Sequence, residues 1–285
     1  MDETHHPRPA APAAGARMQD VQDRLEQSAR SVARRLVRGA GRCAIVAYRE
    51  DPDLAHDAVA HGTCSTGELA VALPADGLCA DLLAAGSPAR PEVRVRIDQH
   101  GAHHEMRVAT ASVHALGRLR VLPAEEAAAM IVAQVLPAAV EEAAGAGAPV
   151  GLVSTERLLL HGQAGVSAYA PHELVDGTCY PAVGDEWDAA ESVERLGEEW
   201  AAAAVAAVSR GEAPGWTGAA RRTPSTGQHL GGRVLLADVD AAGCTWLEVG
   251  VEHTRPVFAP FAAPVRSVGE LTDALEGLAL ASPST

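Results

Sequence analysis

The order of apolar and polar positions changes period several times along the chain. From Met18 the residues Val21, Leu25, Val32 and Leu36 recur at helical spacing, and Gly39 and Gly41 end the run. Arg34, Arg35 and Arg38 lie near the C-terminal end of that helix, where the macrodipole favours cations. Short apolar runs of strand length follow at 43–48, 58–63 and 68–73, the last two joined by a Cys64-Ser65-Thr66-Gly67 turn. Residues 76–85, closed by Gly86, read as a short helix crossing between strands. Strict alternation in Val93-Arg94-Val95-Arg96-Ile97-Asp98 puts the aliphatic residues on one face of a strand and the charges on the other. A polar turn over 99–104 leads into a long second strand, 106–121, in which Gly117 predicts a bulge or bend. Pro123 opens one helix through about Ala144. Residues 150–169 form a further hairpin, turned near Gly162 or Gly165 and ended by Pro171.

The pattern breaks at 176–184, which has no period. Residues 185–209 then predict a single acidic helix, with Trp187, Val193, Leu196, Trp200 and Val205 on its apolar face. Residues 211–232 read as loop, 233–239 and 245–251 as a hairpin, and 256–261 as a strand confined by its prolines to an edge or an irregular place. The spacing Ser267-Val268-Gly269-Glu270 is a capping box opening the last helix. This order predicts an α+β chain: a disordered tail over 1–17, a first domain over 18–175, and an α-β-β-β-α domain over 185–282.

Composition narrows the chemistry. The 285 residues include 23 basic and 37 acidic side chains, a net charge of −14, and every base is arginine. With no lysine, Schiff-base and phosphate-loop lysine chemistries are excluded, and with no asparagine so is N-glycosylation. An acidic chain with 3% aromatics lacks the field and the stacking platforms for nucleic acid. The cysteines Cys43, Cys64, Cys79, Cys179 and Cys244 are scattered and form no C-x-x-C pair, so they read as thiols of a cytoplasmic protein. No run approaches the length of a membrane span.

What remains is His, Arg, Cys, Asp, Glu or a bound cofactor. His100, His103 and His104, beside Glu105, crowd one turn and are candidate ligands for haem iron or a divalent metal; the same turn also reads as a solvated loop. Arg94 and Arg96 share a strand face and would fork onto a phosphate or a pair of propionates, with Arg107, Arg118 or Arg120 on a neighbouring strand; the alternative is an outer face of charges. His61 and Cys64 sit beside a tight turn that lacks the G-x-S-x-G pattern, which favours structure over nucleophilic catalysis. His229 and His253 lie in a loop and near a strand end, and the tryptophans, all beyond residue 186, are expected to pack the tail domain against its neighbour.

The ordering from about Val21 to Leu174 resembles the split β-barrel of the pyridoxamine-phosphate-oxidase-like, FMN-binding proteins. The barrel match rests on the strand at 67–74, the long strand at 106–121 and the stretch at 154–166. The later segments at 233–243, 257–261 and 267–275 are similar to the small domain that follows such barrels in HugZ-like haem-utilisation proteins. The resemblance implies a homodimer holding haem or FMN at the barrel interface, with oxidoreductase activity in haem or iron utilisation. The alternative is a non-catalytic binding or regulatory module that has lost its cofactor. Flavin-binding relatives grip the phosphate with an Arg and Lys pair. Here any anionic cofactor would fall to arginines such as Arg94 and Arg96. Haem-handling relatives use a histidine near the C-terminal end, and His253 is the last histidine of this chain.

Overall fold

The computed structural model describes residues 14–76, 90–103, 109–223 and 225–281; the helix expected over 76–85 and the residues His104, Arg107 and Cys79 fall outside them. The chain builds two antiparallel sheets. The first contains β1 (Arg42–Val46), β2 (His56–Asp57), β3 (Ala60–Thr63), β4 (Leu69–Ala72), β5 (Glu92–His100), β6 (Ala109–Val121), β7 (Val150–Gly162) and β8 (Gly165–Tyr169). Its order is β2-β1-β5-β6-β7-β4-β3, with β8 also on β7. The sheet forks at β7, which pairs with β4 through Val150 to Val153 and with β8 from Leu158 onward. The result is a curled half-barrel.

Helix α1 (Ala14–Val37) covers the concave side. Its Ala33 and Leu36 are fully buried against Ile45, Val95, Ile97, Leu119 and Val153. β4 is buried on both faces: Leu69 and Val71 belong to that core, while Ala70 and Ala72 join a second one with Leu136 and Val140. The helix expected from Pro123 to Ala144 is two, α2 (Ala124–Val132) and α3 (Ala138–Gly145). The break falls where Gln134 takes φ 54° and Pro137, which has no N–H to give, starts the next helix.

After the short α4 (His172–Val175) come α5 (Glu186–Glu194) and α6 (Glu198–Ser209), separated by Gly197 at φ 86° where one acidic helix is expected. The second sheet has β9 (Trp216–Thr217), β10 (Arg221–Arg222), β11 (Arg233–Val239), β12 (Gly243–Val249) and β13 (His253–Pro260). β13 is not the edge its prolines suggest. It pairs along its length with β12, while on its other side only the two-residue β9 and β10 bind, at Val257–Phe258 and His253–Thr254. Pro256 falls in the gap between those two pieces, where no ladder N–H is needed. α7 (Val268–Ala281) opens with the forward half of its capping box, Ser267 Oγ accepting from the Glu270 N–H at 3.2 Å, while Glu270 reaches one residue past the cap and accepts from the Arg266 N–H at 2.7 Å. The core of this half holds Trp246, with Trp200 edge-on to it at 6.0 Å, Phe261, Leu271 and Leu275. Of the other tryptophans, Trp216 packs with Leu25 of α1 and Phe258, and Trp187 is exposed.

The two sheets meet over α1. Arg35 bonds Asp238 at 2.5 Å, Ser28 Oγ donates to Asp240 at 2.5 Å, and Gln99 donates to Asp238 at 2.8 Å. The turn after β5 is fastened to β11 by backbone bonds from the N–H of Ala102 and of His103 to the carbonyls of Ala237 and Leu236.

Candidate functional site

On the convex face of the half-barrel the alternation of β5 has its consequence. Val93, Val95 and Ile97 are buried, and Arg94, Arg96 and Asp98 face outward. Register then sets their neighbours: Arg96 lies opposite His114, Arg94 opposite Leu116, and Asp98 opposite Ser112 on β6. β7 continues the rows, with Leu159 opposite His114 and His161 opposite Ser112. His114 and His161 are therefore diagonal neighbours, their rings edge-to-face with centroids 4.9 Å apart. At Gly117 the β6–β7 register slips, as the glycine predicts. A Cβ there would stand 2.4 Å from the Ser154 carbonyl oxygen, so the two strands approach this closely only at glycine.

The bulge floors an open groove of about 710 Å³ lined by Arg94, Arg118, Arg157, His114, Leu116 and Leu159, with Glu156 also on its wall but bonded to neither Arg94 nor Arg157 among the described residues. Glu92 at its rim is taken by Arg49 at 2.9 Å and lies 3.9 Å from Arg118. Among the described residues Arg94 and Arg157 have no carboxylate partner within bonding range. Burial, the neighbouring His161 and the Arg96 charge all hold the His114 pKa below the usual imidazole value, so at neutral pH it is an uncharged imidazole with a lone pair to give. Burial works against the Asp98 carboxylate, yet bonds from Arg96 at 2.8 Å and Ser112 at 2.5 Å keep its pKa below the ordinary range. Arg96 is thus committed to Asp98 while Arg94 is not.

The residues singled out in the sequence do not converge on one place. Arg94 and Arg96 share the convex face. His100 and His103 line a different groove, of about 500 Å³, at the junction of the sheets beside Arg35, Glu186 and Trp187. His253 is exposed at the start of β13 and lines a third concavity with Arg255. Arg118 joins Arg94, whereas Arg120 turns away to a two-pronged bond with Glu126 at 2.8 Å. His61 is buried with Nε2 2.8 Å from the Leu36 carbonyl, and burial pushes the Cys64 thiol up to about 11, so that turn is structural. His114 and His161 are the residues the linear pattern leaves out. Their signal is the same period of two that marks Arg94, carried to the next strand by a register the sequence does not print. Among the described residues no three His, Cys, Asp or Glu gather to hold a metal, and no helix is long and apolar enough to cross a membrane.

No family model matches the chain, and no curated protein does. Solved structures similar to it include a haem-binding protein from Mycobacterium smegmatis, at 16% identity with a TM-score of 0.47, covering 89% of this chain and 97% of that one. A protein of unknown function from Agrobacterium tumefaciens is 14% identical with a TM-score of 0.35, covering 95% of this chain and 100% of that one.

Proposed function

We propose that the protein binds an anionic, planar cofactor, haem before FMN, in the groove on the convex face of the half-barrel. One observation carries this: guanidiniums with no carboxylate to satisfy them stand beside an uncharged imidazole, on a chain whose net charge is −14. An acidic protein gains nothing by crowding unpaired arginines unless an anion completes them. The donor set fits haem. Arg94, Arg118 and Arg157 suit propionates, His114 on the groove wall suits iron with His161 packed edge-on behind it, and Leu116 and Leu159 supply apolar surface for the ring. Guanidiniums would also take the FMN phosphate, but the lysine that flavin-binding relatives add has no counterpart.

Bound haem would supply the redox chemistry of an oxidoreductase in haem or iron utilisation. The chain's part is to neutralise the propionates, present the imidazole and shield one face from water. Leu116 and Val166, exposed on the same convex face, fit a homodimer closing over the groove. In this reading residues 18–175 and 185–282 act as two domains, and His100, His103, His104 and His253 remain secondary ligand candidates.

Absorption titration with haemin and with FMN tests the proposal. A Soret shift lost in Arg94→Ala/Arg157→Ala and in one of His114→Ala or His161→Ala supports it. Loss in a His100, His103 and His104 triple alanine variant alone moves the site to the junction groove. A colourless protein with no shift for either ligand leaves the non-catalytic module.

A further inference from the structure

The junction of the sheets holds a charge arrangement that a groove for haem does not use. Asp238 is the last residue but one of β11 and Asp240 begins the turn that follows, and both point into the interface with α1, Asp240 being 1% exposed and Arg35 2%. A single guanidinium serves the two carboxylates, and its bond goes to Asp238. Asp240 instead accepts from neutral donors: Ser28 Oγ at 2.5 Å, the Ala242 N–H at 2.6 Å and the Gly243 N–H at 3.3 Å. No second guanidinium is bonded to the pair among the described residues. Cys244 on β12 is a buried neutral thiol, and Glu186 on α5 adds negative charge on the Arg35 side. Two carboxylates and one guanidinium are therefore enclosed between two sheets that otherwise meet through α1 and the turn at residues 99–103, with Glu186, His100 and His103 lining the groove outside them.

We propose that this junction is a proton-operated latch: a proton taken up by Asp240, enclosed beside Asp238, fastens the second sheet onto α1 and the 99–103 turn, and its loss loosens them. In the protonated form Asp240 carries an O–H that donates to Ser28 Oγ, while its other oxygen keeps both backbone N–H bonds. Burial and the Asp238 charge raise the Asp240 pKa to about 6. A carboxyl raised in the docked state stabilises docking fully below its ordinary value of about 3.9, and that contribution is lost as pH rises through about 6. The latch is therefore tight in mild acid and slack at neutral pH. Slackening frees Gln99, Ala102 and His103 together, because all three are tied to the last residues of β11.

Hydrogen exchange of the full chain, corrected for intrinsic rates, reads the latch at the amides of Ala102 and His103. Their protection should fall roughly tenfold between pH 5 and pH 7.5, while the amide of Val95 in the middle of the half-barrel holds its value. Asp240→Asn mimics the protonated acid and should keep the high protection at both pH values. Ser28→Ala removes a donor from the anion and should move the transition to higher pH. Protection that is flat with pH, that rises with pH, or that changes equally at Val95 overturns the proposal, as does a Ser28→Ala transition that stays in place.

Discussion

The convex groove and the sheet junction are both built from arginines and acidic or imidazole partners, but they treat charge in opposite ways. At the junction the ionic groups are buried and both carboxylates are bonded within the chain, Asp238 to Arg35 and Gln99, Asp240 to Ser28 and two backbone N–H groups, although one guanidinium faces two carboxylates. In the groove Arg94 and Arg157 have no carboxylate partner among the described residues and are in contact with solvent. A buried charge without a partner costs several kcal/mol, so the junction has to bond its carboxylates within the chain. An exposed one costs little, and a surface can keep it in reserve for a ligand. Bonds closed within the chain mark structure here, and guanidiniums left open to solvent mark a site.

The sharpest way to break that comparison is Arg35→Met, which strands two carboxylates in the interface. Urea denaturation should show a loss of about 3–5 kcal/mol, and a neutral result would mean that the junction is not closed. Gly117→Ala attacks the groove through its floor, where the new Cβ meets backbone at Ser154. About 1–3 kcal/mol should be lost, and the Soret shift with haemin should shrink with it. His114→Gln has a smaller effect with a defined sign. The imidazole is held below its ordinary pKa, so the wild type loses stability as pH falls below about 6.5. The variant should lose less over the same range, read from urea midpoints at successive pH values. Smallest of all is Arg94→Ala with Arg157→Ala, expected to change stability by no more than about 0.5 kcal/mol while removing haemin binding. A large destabilisation there would turn the groove into structure.

Much of the scaffold was legible in the residue pattern, because its signals are local. The alternation at 93–98 became β5, Gly117 became the slip in register, and Ser267 with Glu270 became a working cap. The helix breaks were missed because the apolar spacing runs through them. Pro137 and Gly197 decide through the backbone what the side chains do not show. The site was half legible. Arg94 and Arg96 follow from one strand's period, but the pairing of His114 with His161 depends on two inter-strand registers, one of them shifted by a bulge. For β13, expected at an edge or in an irregular place, the edge gives way to an interior position whose far side is interrupted. A proline forbids a bond only at its own position, and the neighbouring strands avoid that position by being two residues long.

The two backbone bonds from Ala102 and His103 to β11 have one more effect. β11 is the last strand of its sheet, and the outer side of such a strand is a row of unsatisfied carbonyls and amides on which a strand from another molecule can grow. The turn occupies the middle of that row and leaves no uninterrupted stretch for a stranger to copy. The chain thereby protects its own solubility. Whatever loosens the turn should show up as slow self-association that rises with protein concentration.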